Sequence, residues 1–353
     1  MRSERRPVTG RSVVVLGGTG FLGRRIGAAY AADGARVRLV SRSAAAVPAV
    51  AVGPGVSAVG LDLVTASPRE IAALLATAGA DVVVNAAGRA WQADEAELAA
   101  GNTALVERVV AALAALPGPP VRLVQLGTVH EYGAGAPDAA TGEDHEPAPV
   151  TPYGRTKLAG TRAVLRARRE HGVDGVVLRL ANVIGAGVPE GSLFGRIAAH
   201  LGAAARAGAR GEKAAGLRLP ALRAARDLVD ARDVTAAVLA AGAAPEADVA
   251  GRVINVGRGT AVPMRALVDR MIELSGLELP VAEAAEGPGA RTDVARQCLD
   301  VSRAWLLLGW RPLHTLDDSL RELLASVMPP EHPRPGTPLG ITAGAPAEEG
   351  TRS

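Results

Sequence analysis

A tyrosine and a lysine stand four residues apart in the segment Tyr153-Gly-Arg-Thr-Lys157. The chain has only three tyrosines, and its lysines are Lys157 and Lys213, whereas arginine is abundant. Arginine cannot easily replace lysine where a compact, strongly hydrated charge is required. On a helix, residues i and i+4 are neighbours, so the phenol and the ammonium would share one face. The pair therefore predicts acid–base chemistry in which the tyrosine exchanges a proton and the lysine assists it.

A glycine-rich loop near the start of the chain, Gly18-Thr-Gly20-Phe-Leu-Gly23, fits the pattern G-x-G-x-x-G. It lies between a β-branched run at 12–16 and a helical pattern at 21–32, where a dinucleotide-binding loop belongs. Glycines there permit a tight turn and let backbone N–H groups approach a pyrophosphate at the helix N-terminus. The predicted cofactor contacts in this loop are Gly17, Gly20, Phe21, Leu22 and Gly23.

With such a cofactor, the phenol becomes a plausible proton donor. Tyrosine normally has a pKa near 10, which is too high for ready proton exchange at neutral pH. A cation one turn away and the positive nicotinamide of an oxidised cofactor both favour the phenolate. Lowering the pKa by about 2 units requires roughly 3 kcal/mol of differential stabilisation, which one partly desolvated ammonium could supply. We therefore expect Lys157 to lower the pKa of Tyr153 and Tyr153 to act as a general acid.

The end of the second predicted strand, 36–40, distinguishes the two nicotinamide dinucleotides. A site for NAD offers an acid about 20 residues beyond the glycine loop, where it bonds the ribose 2′-hydroxyl. This chain has Val40-Ser41-Arg42 there and no acid. Arg42 could clamp a 2′-phosphate and Ser41 could add a hydroxyl, although an arginine after a strand can also be simply solvated. The sequence therefore favours NADP(H).

Two further cofactor contacts are predicted after the third strand, 56–60, at Asp62 and Leu63. Asp62 is placed to meet the adenine amino group. The alternative is an aspartate that only stabilises a turn.

The elements that must position these residues alternate in type along the first half of the chain. Strands are predicted at 12–16, 36–40, 56–60, 81–85, 121–126 and 175–180. Helices are predicted at 21–32, 68–78 and 94–116, and a further helix starts at 151–152 after a surface loop at 133–150. Such alternation predicts βαβ units and an α/β, doubly wound parallel sheet of the Rossmann type.

Beyond residue 180 the alternation becomes irregular, with helices predicted at 233–241, 264–275 and 317–327 and a strand at 252–256. We interpret this half as a smaller, mostly helical substrate-binding cap. The predicted dinucleotide-binding domain is 12–180, with a returning segment at about 226–258, and the cap comprises 181–225 and 259–328. The ends, 1–11 and 329–353, are polar or rich in proline and glycine, which predicts disordered tails.

Composition excludes several classes of protein. The formal charge of +3 is spread along the sequence, which gives no support to nucleic-acid binding. Cys298 is the single cysteine, so no intrachain disulfide can form and a reducing compartment fits best. No segment approaches the roughly 18 apolar residues of a membrane span. The histidines show no metal-ligand spacing. We expect a cytoplasmic protein without a metal site.

Taken together, the motifs resemble the extended short-chain dehydrogenase/reductase family in its nucleotide-sugar branch. The resemblance covers about residues 12–328. Its motifs are the glycine loop, Asn85-Ala-Ala-Gly88, Thr128 before Tyr132-Gly133, Tyr153 with Lys157, Arg179-Leu-Ala-Asn182, Arg226-Asp227 before a helix, and Asp300-Val-Ser-Arg303 with Gly309-Trp310.

The resemblance implies roles for individual residues. Thr128 matches the catalytic Ser/Thr that hydrogen-bonds the reacting oxygen, and Lys157 would also hold the nicotinamide ribose. Asn182, Arg226 and Arg291 would bind the substrate diphosphate. The implied cofactor contacts are Ala86, Ala87, Gly88, Asn102, Tyr153 and Lys157.

Two of these positions keep an alternative. Asn102 could instead have an ordinary role on its helix face. His130 would face the substrate, unless it and Glu131 form only a polar pair at the strand end.

The resemblance also narrows the reaction. Dehydratases of the family carry Asp-Glu after the catalytic threonine, whereas this chain has Val129 and His130, and valine cannot act as an acid. A site for NADPH implies net reduction with exchange of the cofactor. We therefore expect reduction of the 4-keto group of a nucleotide-linked, dTDP-type 4-keto-6-deoxyhexose in bacterial deoxysugar biosynthesis. The alternatives are a nucleotide-sugar epimerase with tightly bound NAD, and an NADP-sensing regulator without catalysis. Family members often form dimers, so a homodimer is possible.

Overall fold

The computed structural model describes residues 9–43, 54–90, 93–136, 139–283 and 294–330. The strands are β1 (Ser12–Leu16), β2 (Arg36–Ser41), β3 (Val56–Gly60), β4 (Val82–Asn85), β5 (Arg122–Thr128), β6 (Gly175–Leu180), β7 (Asn182–Ile184), β8 (Leu217–Leu219), β9 (Ala225–Asp230), β10 (Val253–Val256), β11 (Ala261–Pro263), β12 (Val281–Glu283) and β13 (Arg296–Gln297). The α-helices are α1 (Phe21–Ala32), α2 (Pro68–Ala78), α3 (Glu95–Ala99), α4 (Leu105–Ala114), α5 (Pro152–His171), α6 (Leu193–Ala209), α7 (Ala231–Ala243), α8 (Glu246–Val249), α9 (Met264–Ser275), α10 (Ser302–Leu308) and α11 (Leu316–Ala325).

Seven parallel strands form the main sheet in the order β10-β6-β5-β4-β1-β2-β3. Strand β1 is wholly buried because helices cover both faces of the sheet. Alternate side chains of a strand point to opposite faces. Val13 and Val15 accordingly pack in one core with α1 and α7, whereas Val14 and Leu16 pack in another with α2, α4 and α5. This arrangement confirms the predicted doubly wound sheet.

The helix predicted at 94–116 is divided into α3 and α4 by a π-helical turn at Ala100–Ala104. A π turn inserts an extra residue into the helical spacing and often occurs at functional sites. Here it contains Asn102, which is buried and bonded outside its own helix. The apolar periodicity of the sequence does not reveal this insertion. The other predicted helices and strands agree closely with the observed bounds.

The second half of the chain adds small sheets that the irregular sequence pattern did not predict. Strand β9 pairs with β7, β11 and β13, and β8 pairs with β12. Helices α6, α9 and α11 share a third apolar core with these strands. The segment 226–258 is predicted to return to the dinucleotide-binding domain. Its strand β10 joins the main sheet at one edge, whereas its strand β9 lies outside that sheet. The boundaries between the predicted dinucleotide-binding domain and the predicted cap stay a prediction.

Within the described ranges, no helix combines the length and apolar character needed to cross a bilayer. Most residues of the predicted tails, 1–8 and 331–353, lie outside those ranges.

Candidate active site

Helix α5 carries the tyrosine and lysine. Thr151 caps its N-terminus by accepting a hydrogen bond from Gly154 N at 3.1 Å, and Pro152 occupies the first turn. A Cβ on Gly154 would lie 2.4 Å from the carbonyl oxygen of His130, so glycine is needed for this close approach. The start of α5 therefore packs directly on the 3-10 turn Val129–Glu131 that follows β5.

This packing brings Tyr153 to Thr128, the last residue of β5. The Thr128 hydroxyl lies near enough to the phenol to lower its pKa through hydrogen bonding, so the two groups that would contact one reacting oxygen lie together. The ring of Tyr153 also meets the ring of His130 edge-on, with centroids 5.8 Å apart and planes at 68°. His130 is thus placed beside the tyrosine.

Lys157 lies one turn further along α5, and its Nζ donates a 2.5 Å hydrogen bond to the carbonyl oxygen of Leu126 in β5. Burial lowers the pKa of Lys157, and the carboxylate of Glu131 opposes that shift. The ammonium is therefore held against the end of the strand that delivers Thr128.

The expectation that Lys157 lowers the pKa of Tyr153 is wrong for the protein's own groups. The pKa of Tyr153 is raised to about 12: burial raises it, hydrogen bonding with Thr128 opposes the rise, and the Glu131 carboxylate adds to it. Burial dominates because it removes the solvation that a phenolate needs. The amine is engaged with the carbonyl of Leu126 instead.

Glu131 is the residue whose place sequence reasoning missed. From the sequence, Glu131 is expected only as the partner of His130 in a polar pair at the strand end, yet its side chain is completely buried beneath the site. Its Oε1 accepts a hydrogen bond from Thr128 N at 2.9 Å. The signal was present in the spacing Thr128-x-x-Glu131, which is the pattern of a capping box.

The glycine loop has the predicted shape. Gly17 adopts the left-handed φ of 77°, and a Cβ on it would lie 2.7 Å from Ala87 N. The loop thus packs against the segment after β4, which brings together the predicted contacts Gly17, Ala86 and Ala87. Helix α1 begins at Phe21 after Gly20, which has no side chain to cap it. Its first N–H groups are suited to an anion at the helix N-terminus.

At the end of β2, Ser41 is buried and its Oγ donates to the carbonyl oxygen of Ser43 at 2.6 Å. Arg42 is exposed beside it. Strand β3 lies next to β2, with Gly60 opposite Ser41, so Asp62 and Leu63 follow at the same edge of the sheet. Carboxyl ends of parallel strands are where such folds bind their ligands.

Asp62 and Leu63 also have roles inside the protein. Asp62 Oδ1 accepts from Val64 N at 3.0 Å, and its carbonyl accepts from Ala66 N at 2.8 Å, as expected for a turn aspartate. Leu63 is buried in the apolar core beneath α2. Asp62 thus stabilises a turn, which is the alternative role considered for it in the sequence.

Asn102 connects three segments through its amide. Its Oδ1 accepts from Arg89 N at 2.9 Å, and its Nδ2 donates to Arg89 O at 2.9 Å and to Thr156 Oγ1 at 3.2 Å. A Cβ on Gly88 would lie 2.9 Å from Asn102 Oδ1. Asn102 therefore fixes the loop after β4 against α5.

The predicted substrate residues are distributed over the second half of the chain. Asn182 begins β7 and donates to Asp227 O at 3.1 Å, and Arg226 is buried in the paired strand β9. In that pairing Asn182 lies opposite Leu228, which places Asn182 close to Arg226 along the strands. Arg291 lies outside the described residues. Among those that are described, no cluster of potential metal ligands occurs.

Comparison with known proteins identifies relatives of this architecture. Residues 13–257 match the family described as the NAD dependent epimerase/dehydratase family. A curated relative from Kitasatospora kifunensis, dTDP-6-deoxy-L-talose 4-dehydrogenase (NAD(P)(+)), is 45% identical over 311 residues, which cover 88% of this chain and 94% of the relative.

Two solved structures illustrate the likeness of the fold. UDP-glucuronic acid 4-epimerase from Bacillus cereus, in complex with UDP-glucuronic acid and NAD, superposes with a TM-score of 0.75 at 19% identity and covers 89% of this chain and 98% of that one. The protein RMD from Pseudomonas aeruginosa, in complex with NADPH, has a TM-score of 0.71 at 25% identity and covers 89% of this chain and 98% of that one.

Proposed function

Because the chain belongs to the NAD dependent epimerase/dehydratase family of nicotinamide-dependent, nucleotide-sugar-modifying enzymes, we propose that it reduces the 4-keto group of a dTDP-linked 4-keto-6-deoxyhexose with NADPH. The placement of the Thr128 hydroxyl beside the phenol of Tyr153, on the face of α5 that also carries Lys157, is the observation that carries this proposal. It supplies a proton donor and a second hydrogen-bonding group at one point. A ketone oxygen needs both as hydride reaches its carbon.

In the proposed reaction, Tyr153 donates its proton to the carbonyl oxygen, and Thr128 hydrogen-bonds the same oxygen. Bound NADPH supplies the hydride. Lys157 holds the nicotinamide ribose. The raised pKa of Tyr153 suits this direction, because the phenol enters the reaction protonated.

The substrate class is supported by the relative that is 45% identical, whose name specifies a dTDP-linked 6-deoxysugar and chemistry at C4. Hydride transfer is reversible, so one site can serve C4 oxidation and C4 ketone reduction. We propose that Asn182, Arg226 and Arg291 bind the diphosphate, since arginine forks match phosphate oxygens. The residues 181–225 and 259–328 would form the cap around the sugar.

The preference for NADPH rests on the end of β2, where exposed Arg42 follows Ser41 and no acid is present. The name of the curated relative covers both NAD and NADP, and RMD was solved with NADPH. We propose that this chain works as a cytoplasmic enzyme in deoxysugar biosynthesis, and as a homodimer.

The test is direct. Purified protein is mixed with NADPH and a dTDP-4-keto-6-deoxyhexose, the loss of absorbance at about 340 nm is followed, and the product is identified by NMR. Stoichiometric oxidation of NADPH with formation of the C4 alcohol supports the proposal. An absorbing dinucleotide that survives dialysis, with interconversion of C4 epimers and no net oxidation, would indicate the epimerase instead. Binding of NADPH without turnover of any keto sugar would favour a sensor.

A further inference from the structure

The buried carboxylate of Glu131 lies at the junction of the elements that form the site. Its Oε1 accepts from Thr128 N at 2.9 Å. Its Oε2 accepts from Thr161 Oγ1 at 2.9 Å and from Arg179 Nε at 2.8 Å. A Cβ on Gly127 would lie 2.7 Å from Oε1, so β5 has a glycine where the carboxylate needs room. One side chain thus connects β5, α5 and β6.

The contact with α5 falls on the stripe that carries the chemistry. Tyr153, Lys157 and Thr161 follow one another at intervals of four residues, so they lie on the same face of the helix. Glu131 is therefore hydrogen-bonded to that face of α5 through Thr161. It is also hydrogen-bonded to Thr128, whose side chain meets the phenol of Tyr153. This double attachment fixes the distance between Thr128 and the helix of Tyr153.

The charges around Glu131 come from each neighbouring element. Arg179 of β6 is almost fully buried and pairs with it, and the same guanidinium stacks on the ring of Tyr132 at 4.4 Å. Lys157 and Tyr153 face it from α5. A buried negative charge favours the protonated form of both the amine and the phenol. On its other side, Tyr132 donates to Asn255 Oδ1 at 2.9 Å, which extends the network toward β10.

We propose that Glu131 is a positioning residue of the active site: it fixes Thr128 to the helix of Tyr153, and its buried negative charge acts on the phenol that donates to the ketone. This inference rests on the proposed ketone reduction. It assigns two separable roles to one carboxylate, a geometric role and an electrostatic role.

Two substitutions separate the roles. Glu131→Gln keeps the length of the side chain and an oxygen for Thr128 N but removes the charge. We expect the alkaline limb along which kcat for alcohol oxidation with NADP+ rises to move to lower pH by about half a unit or more. Glu131→Asp keeps the charge but withdraws it from Thr128 N. We expect an unchanged alkaline limb with kcat reduced about tenfold.

Two controls test whether the variants fold and whether Arg179, which loses its carboxylate partner, affects the result. Glu246→Gln removes a carboxylate that pairs with an arginine of α5, at 2.6 Å from Arg168, and is expected to leave the profile unchanged. If Glu131→Gln is too unstable because Arg179 loses its partner, the double variant with Arg179→Met replaces it. That variant should still shift the limb, by a smaller amount, because both charges are gone. Coincident limbs in wild type and the folded glutamine variant would overturn the electrostatic role, and full kcat in the aspartate variant would overturn the geometric one.

A spectroscopic test does not depend on the substrate. The chain has only three tyrosines, so tyrosine labelled with 13C at Cζ gives three resonances, and Tyr153→Phe identifies one of them. With saturating NADP+, the Tyr153 resonance should titrate at lower pH in Glu131→Gln than in wild type. Equal titration would refute the electrostatic role even if the enzyme proved to act on another ketone. Failure of the ketone assay with a shifted titration would instead refute only the proposed substrate.

Discussion

Gly23 lies directly against Gly17 across the loop that begins α1: a Cβ on Gly23 would stand 2.1 Å from the carbonyl oxygen of Gly17. The same oxygen accepts a 2.9 Å hydrogen bond from Gly20 N. The loop therefore has its shape because the helix and the strand end touch through backbone atoms alone. Any side chain at Gly23 must push the loop out of the position where α1 can meet a pyrophosphate.

Gly23→Ala is therefore expected to weaken NADPH binding by at least about tenfold and to destabilise the fold by about 1–3 kcal/mol. Fluorescence titration with NADPH and thermal unfolding measure the two effects. Gly142→Ala is the matched control, since a Cβ there meets nothing within 4 Å. Unchanged NADPH affinity in Gly23→Ala would show that the loop does not hold the dinucleotide.

Tyr153→Phe removes only the hydroxyl that contacts Thr128. We expect kcat for ketone reduction to fall about 10²- to 10⁴-fold, the usual range for loss of a general acid. NADPH affinity should change less than about twofold, because the cofactor is held largely by other residues. Steady-state kinetics and cofactor titration test this. Tyr30→Phe, which loses only a 3.4 Å bond to a backbone carbonyl in the core, should remain active. Ketone reduction that survives in Tyr153→Phe would identify another acid.

The pH dependence of the two directions should be opposite in sign. Reduction requires the protonated phenol, and the protein's own groups raise the pKa of Tyr153 to about 12. Reduction should therefore persist through neutral pH and be lost only as the pH rises through the phenol's pKa. Alcohol oxidation requires the phenolate and should accelerate over the same range, with its midpoint lowered by the positive nicotinamide. In profiles of kcat from about pH 6 to 10, reduction should therefore stay level while oxidation rises. Reduction that accelerates with rising pH would contradict the assignment.

Arg42→Ala is expected to raise KM for NADPH by about tenfold or more and to leave KM for NADH within about twofold, because only NADPH carries the 2′-phosphate. The measurement is KM for each cofactor at one substrate concentration. Arg36→Ala removes an exposed arginine at the opposite end of the same strand and serves as the control. Equal losses for both cofactors would mean that Arg42 does not recognise the phosphate.

The parts of this protein that local sequence determines are those governed by short-range physics. The strand pattern, the glycine loop, and Tyr153 and Lys157 on one helix face could all be predicted, because side-chain periodicity and glycine conformation act within a few residues. The capping box of Thr128 and Glu131 follows from local spacing in the same way.

The remaining features required the tertiary structure. The π turn that directs Asn102 toward Arg89 and Thr156, the departure of β9 from the main sheet, and the pairing of Glu131 with Arg179 all join residues distant in sequence. For the same reason, the prediction that Lys157 lowers the pKa of Tyr153 is wrong for the protein's own groups. Sequence spacing places a cation near a phenol, but burial and the charges brought in by other strands determine which protonation state the site favours.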